Sequence, residues 1–208
     1  MASVLSVNVG LPKVIGVRRG EEVLSGIDKR PVDGRLAIRG TSFEGDGQAS
    51  LDLHGGPDMA IYAYAAEDSA WWAQQLGREI TPGMFGENLT TSGVDCSGAV
   101  IGERWALGEV VLEVCQPRLP CYKLGMHFQD PTILKQFTQA SRPGAYLRVV
   151  QEGTVGAGDT VEVLSRPDHG VTIALVADAL QLDHALAAQA LQAPELPAGP
   201  AAKLRQWA

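Results

Sequence analysis

The sequence contains no run of eighteen apolar residues, no C-x-x-C pair and no G-x-G-x-x-G after a strand-like segment. These absences argue against a membrane-spanning helix, a structural zinc site and a dinucleotide-binding turn, respectively. Its three cysteines, Cys96, Cys115 and Cys121, make neither a disulfide framework nor an iron–sulfur series, so reduced thiols are expected. Positive charge is also scarce: 17 lysines and arginines against 24 acidic residues give a net charge of −7. At long range such a chain is repelled by nucleic acid and by anionic membranes, which leaves room only for a local basic pocket. The first ten residues have no basic segment and alternate apolar with polar, unlike a secretory leader, and a cytoplasmic protein is expected.

What is present fits a folded globule, with 45% hydrophobic and 20% charged residues in 208. That length suits one main domain with at most a small appendage. The 24 glycines and 12 prolines make up about 17% of the chain, so turns are frequent and strands short, favouring a barrel or sandwich. Period-two patterns predict strands at 5–9, 35–38, 61–64, 110–114, 145–150 and 161–164. Gly102-Glu103, Gly108-Glu109 and Gly158-Asp159 each precede a strand-like segment and mark hairpin corners. Helical patches are predicted at 67–76, 122–128 and 133–141. After Pro167 the texture becomes alanine- and leucine-rich, predicting helices near 172–180, 183–191 and 201–207. The chain thus divides into a β domain, 1–166, and a helical extension, 167–208.

The sharpest local signal is Gln116-Pro-Arg-Leu-Pro-Cys-Tyr-Lys-Leu124. A thiolate is both the nucleophile and the metal-binding form of cysteine, and neighbouring cations or a helix N-terminus help it form. Arg118 and Lys123 flank Cys121, a helix is predicted from Tyr122, and Pro117 and Pro120 stiffen the approach. The alternative is a buried cysteine acting as a small hydrophobe, but two prolines and two cations are poor core material. Cys115 continues the alternation of its strand and reads as structural. Cys96 sits in a turn with no base nearby.

Two further clusters, Asp52-Leu-His-Gly-Gly-Pro-Asp58 and Phe85-Gly-Glu-Asn-Leu89, combine glycines with His54 or Asn88. Backbone amides at Gly55 and Gly56 could approach an anion or planar ligand, although a structural Gly-Gly turn is the common alternative. Ser141-Arg-Pro-Gly-Ala-Tyr-Leu-Arg148 sets Arg142 beside a tight turn, where a solvated position is the simple reading. A cysteine hydrolase is disfavoured, because of His54, His127, His169 and His184 only His54 could converge on Cys121.

Taken in order, His54-Gly-Gly-Pro57, Gly86-Glu-Asn-Leu89, Pro117-Arg-Leu-Pro-Cys-Tyr-Lys-Leu124 and Arg142-Pro-Gly144 closely resemble the motifs of MOSC proteins, named for the C-terminal domain of molybdenum cofactor sulfurase. The nearest group is YiiM-like. Ser50 and Met59 depart from it, standing where an aspartate and a lysine are frequent. The resemblance implies a mainly β fold, a MOSC-type β-barrel with peripheral helices and a small C-terminal three-helix extension. It also implies molybdenum cofactor (molybdopterin), with Cys121 as the metal ligand or as a carrier of sulfur. Lys29, Arg30, Arg118, Lys123 and Arg142 are then candidates for the anionic part of the cofactor. His54, Gly55, Gly56, Asn88 and Gln116 are candidates for pterin or oxygen contacts. The implied reaction is reduction of a small N-hydroxylated compound, a hydroxylamino-purine or amidoxime. Because the chain carries no electron source, a separate reductase, expected to be a flavoprotein, is needed. A sulfur carrier using a Cys121 persulfide and a noncatalytic cofactor-binding module are the alternatives, and a homodimer is left open.

Overall fold

The computed structural model describes residues 1–49 and 55–208, so the expectation for His54 lies outside the described residues. Among the described residues the strands are β1 (Ser3–Val9), β2 (Lys13–Arg18), β3 (Glu21–Ser25), β4 (Arg30–Pro31), β5 (Arg35–Arg39), β6 (Ser42–Phe43), β7 (Ile61–Ala65), β8 (Leu89–Ser92), β9 (Arg104–Leu107), β10 (Val110–Pro117), β11 (Ala145–Gln151), β12 (Gly153–Gly156) and β13 (Val161–Ser165). The helices are α1 (Ala66–Leu76), α2 (Tyr122–Phe128), α3 (Ile133–Ala140), α4 (Ile173–Gln181), α5 (Ala187–Ala190) and α6 (Ala198–Leu204).

Eight strands form one sheet in the order β13-β9-β10-β11-β7-β8-β1-β4. Its pairings are antiparallel except β7 with β8. A parallel pair needs a crossover, and α1 lies within the segment that returns the chain from β7 to β8. Gly77 ends α1 in the left-handed conformation (φ 61°), the usual stop for a helix that must turn back. The glycine-led corner at Gly108 joins β9 to β10 as a hairpin.

Outside the ladders, the start of β1 touches the segment that leads into β13. An isolated bridge pairs Ser3 with Thr160, and backbone bonds run from Val4 N–H to the Asp159 carbonyl (2.8 Å) and from Val161 N–H to the Ala2 carbonyl (3.0 Å). Continuous strand pairing does not cross this seam, so the ladders by themselves do not complete the expected closed barrel. The architecture is mostly sheet with peripheral helices. A small sheet, β12-β5-β6, and a separate hairpin, β2-β3, flank it.

Two apolar clusters hold the chain together. The larger joins sheet residues such as Val4, Ile61, Leu107, Leu112 and Val114 to tail residues including Ile173, Val176, Ala190 and Leu204. Thr172 caps α4 by accepting from Leu175 N–H at 3.1 Å. Buried Glu103 accepts from Trp105 Nε1 (2.7 Å) and from Arg166 Nε (2.6 Å), tying the end of the sheet to the start of the tail.

The smaller cluster is aromatic: Tyr62, Tyr64, Trp72, Phe85, Phe128 and Phe137, with Leu124 and Ile133. Trp72 and Phe137 stack with an interplanar angle of 8°. The Tyr64 hydroxyl accepts from Trp72 Nε1 at 2.8 Å and donates to the Arg142 carbonyl at 3.0 Å. Replacing Tyr64 by Phe strands both partners, and the expected cost is roughly 1–3 kcal/mol. Urea denaturation of Tyr64→Phe checks this; a loss within error of zero would mean that water or a shifted neighbour satisfies both groups.

Candidate functional site

Cys121 stands at the junction of strand and helix. Strand β10 ends at Pro117, residues 118–120 lead away from it, and Cys121 is the extended residue (φ −126°, ψ 167°) before the first residue of α2. Pro117 cannot donate to a further ladder bond, and Pro120 biases its predecessor away from helix, so the pairing stops before the helix begins. Cys121 thereby lines a cavity that is open to solvent on one side.

The walls come from segments far apart in sequence. Ile27 and Lys29 follow β3, Gly47 and Gln48 precede the 50–54 segment, Phe85 and Asn88 precede β8, and Arg118, Cys121 and Lys123 bridge β10 to α2. Tyr62 and Tyr146, on adjacent strands with ring centroids 5.1 Å apart, also line it. Gly83 lets two of these segments meet: a Cβ there would stand 2.6 Å from the Lys29 carbonyl, and its φ of +85° suits glycine alone.

A carboxylate that the motifs did not flag organises one side. The Asp46 side chain, 2% exposed, accepts from Lys29 Nζ, from Asn88 Nδ2 (2.8 Å) and from the Gly10 N–H (2.9 Å). Asn88 Oδ1 in turn accepts from the Tyr62 N–H at 3.1 Å. Burial pulls the Lys29 pKa down, while Asp46 and then Glu87 act in the opposite direction. Burial also pushes the Tyr62 and Tyr146 phenols up, keeping both rings neutral on the cavity wall.

Arg118 is the anomaly. It is 6% exposed, its guanidinium lies 5.0 Å from the Phe137 ring centroid, and its fully buried Nη1 has no hydrogen-bond acceptor among the described residues. A cationic donor buried without an acceptor is costly, so it marks where an anionic group belongs.

The other sequence candidates divide plainly. Lys29, Asn88, Arg118, Cys121 and Lys123 share the cavity wall; Arg30, Gly55, Gly56, Gln116 and Arg142 are not on it. Arg30 pairs with Asp28 at 2.9 Å, its side chain 70% exposed. Arg142 pairs with Asp68 and lies 4.8 Å over the Trp71 ring, away from the cavity, and its turn serves the aromatic cluster. Gln116 Nε2 donates to the Asp58 carbonyl (3.4 Å), and Gly56 (φ 96°) opens the short turn Pro57–Met59, so both support the loop carrying Met59, which does line the cavity. Cys115 and Cys96 are buried, and burial pushes each thiol up to about 12, which keeps them unreactive. Among the described residues no three His, Cys, Asp or Glu side chains converge to hold a metal ion.

Glu87, between cavity residues Gly86 and Asn88, is fully buried and accepts from the Gly83 N–H (2.6 Å), the Phe85 N–H (3.0 Å) and Thr90 Oγ1 (2.9 Å). Desolvation outweighs these donors and raises its pKa from 4.5 to about 7. The folded state therefore holds a proton that the unfolded state has released between those values, so stability is full below pH 4.5 and falls as pH rises to about 7. Relative to Glu87→Gln, the wild type should lose a few kcal/mol, about 3 at most, across that window in urea denaturation. A difference that does not change with pH would show the carboxylate ionised throughout.

The MOSC domain family model matches residues 50–162. YflK of Bacillus subtilis (strain 168) is 40% identical over 171 residues, 82% of this chain and 77% of that protein. A protein of Gibberella moniliformis (strain M3125 / FGSC 7600) named "Reductase" is 36% identical over 71% of this chain but over only 27% of its own length. The crystal structure of YiiM from Geobacillus stearothermophilus superposes with a TM-score of 0.80 at 30% identity, covering 100% of this chain and 99% of that one. Between them the family match and these likenesses take in the cavity, the sheet around it and the helical tail: the chain belongs to the MOSC domain family.

Proposed function

We propose that the protein binds molybdenum cofactor in the Cys121 cavity and reduces small N-hydroxylated compounds, hydroxylamino-purines or amidoximes, with electrons from a separate flavoprotein reductase. The observation that carries this reading is the pairing, on one cavity wall, of Cys121 with a buried cation, Arg118, whose Nη1 has no acceptor among the described residues.

The donor set fits the group. Molybdenum cofactor brings a metal already held by a dithiolene, a planar pterin and a phosphate, so it needs from the protein one soft sulfur, polar contacts and cations. Cys121 supplies the sulfur. Arg118 would bring its guanidinium to the anionic part of the cofactor, with Lys29 and Lys123 on the same wall. Asn88, held by Asp46, presents an amide edge, and Tyr62, Phe85 and Tyr146 give apolar surface from which water is excluded. When bound, the cofactor supplies the two-electron oxygen-transfer chemistry that these side chains lack. Each N–O bond reduced also consumes two protons and releases water. The relative named "Reductase", much longer than the matching segment, supports a division of labour in which this domain works beside an electron-supplying one. The bonds across the β1–β13 seam support reading the sheet as the MOSC barrel.

The test is turnover of protein produced in a host that makes the cofactor. Chemically reduced wild type should convert benzamidoxime to benzamidine, and Cys121→Ser should lose at least about 100-fold in kcat/KM, nearly 3 kcal/mol. Wild type that holds the cofactor yet turns over no N-hydroxylated compound with chemical or enzymatic reductant would sink the proposal.

A further inference from the structure

A second, open cleft lies beside the Cys121 cavity, and Ala49 and Lys123 line both. One wall of the outer lobe is the β2–β3 hairpin, with Arg18, Arg19, Glu21 and Glu22; the other is the start of α2, with Tyr122. The register of the hairpin explains which side chains turn inward. Gly16 pairs with Val23, Val17 with Glu22 and Arg18 with Glu21, so Arg18 shares a face with Gly16 and buried Val23. That face looks toward α2, because a Cβ on Gly16 would meet the Met126 Cε at 2.7 Å. The outward face leaves Val14, Val17 and Leu24 exposed.

Arg18 is held in a particular way. Its guanidinium lies 4.2 Å from the centroid of Tyr122, the residue next to Cys121, and among the described residues neither Arg18 nor Arg19 forms a salt bridge. A guanidinium stacked on a ring has its plane fixed while its N–H edge remains available, the arrangement suited to bidentate contact with a phosphate. Two adjacent arginines offer more donors than a carboxylate can accept and match the three terminal oxygens of a phosphate monoester. Glu21 and Glu22 share the lobe and oppose a longer polyanion.

We propose that the outer lobe binds a phosphate monoester carried by the same molecule whose reacting group enters the Cys121 cavity, through Arg18 and Arg19. The inference rests on the functional reading above and deepens it: the substrate class becomes phosphorylated N-hydroxylated compounds, of which a hydroxylamino-purine nucleotide is the simplest. Ala49 and Lys123 line both spaces, so one molecule can extend from the cavity into the lobe.

Titration calorimetry on cofactor-loaded protein tests this without turnover, with adenosine 5′-monophosphate and adenosine as probes. The monophosphate should bind at least about tenfold more tightly at low salt. Arg18→Ala/Arg19→Ala should abolish that preference. Glu21→Gln/Glu22→Gln should widen it, a gain that misfolding cannot mimic. Equal affinities in wild type, or a preference that survives in the double arginine variant, would overturn the proposal. Turnover of N6-hydroxyadenosine and its 5′-monophosphate separates the two readings. If neither is reduced while the binding preference and its loss stand, the reductase reading fails and the phosphate lobe is upheld.

Discussion

The Asp46 carboxylate is the joint on which the cavity depends. It takes donors from Gly10 just after β1, from Lys29 just before β4 and from Asn88 just before β8, drawing three segments to one buried point. A buried carboxylate is tolerable only when its oxygens are satisfied and its charge is met, and both conditions hold here. Because Asn88 also binds the backbone of β7, the same carboxylate fixes the polar wall of the cavity relative to the strand that carries Tyr62. Losing that charge would leave Lys29 buried without its counter-ion and would release the segment leading to Gly47 and Gln48.

Arg118 is handled differently. It is as buried as Lys29, but among the described residues it is met by an aromatic ring rather than a carboxylate. One cation is neutralised within the described fold, and the other is not. An acidic chain can in this way present a locally positive site. Exposed Arg30 and half-buried Arg142 are each already paired with an aspartate.

Much of this was legible in the sequence, for identifiable reasons. The strands predicted at 5–9, 35–38, 61–64, 110–114, 145–150 and 161–164 coincide with β1, β5, β7, β10, β11 and β13, although burial does not alternate in all of them: β7 is buried throughout and β13 only at Val161. Strands β2, β3, β8, β9 and β12 were not legible. The hairpin β2–β3 exposes apolar residues outward, which blurs its period, and the others are four residues long, too short for a period to emerge. Cys115 follows its strand's alternation only until the irregularity between Val114 and Gln116 places consecutive residues inside. At the site, Cys121, Arg118 and Lys123 were visible because one short motif carries them. Asp46 was invisible because its partners lie 17, 36 and 42 positions away. The ion pair of Arg142 was invisible for the same reason: its partner Asp68 lies 74 positions away.

The claim at the centre of the account is that the Cys121 sulfur binds molybdenum. X-ray absorption at the molybdenum edge addresses it directly, on wild type and Cys121→Ser purified from a cofactor-producing host. The account predicts one more sulfur neighbour around the metal in wild type than in the variant, at equal pterin content. Molybdenum with the same sulfur count in both proteins, or well-folded wild type with no molybdenum at all, would contradict it.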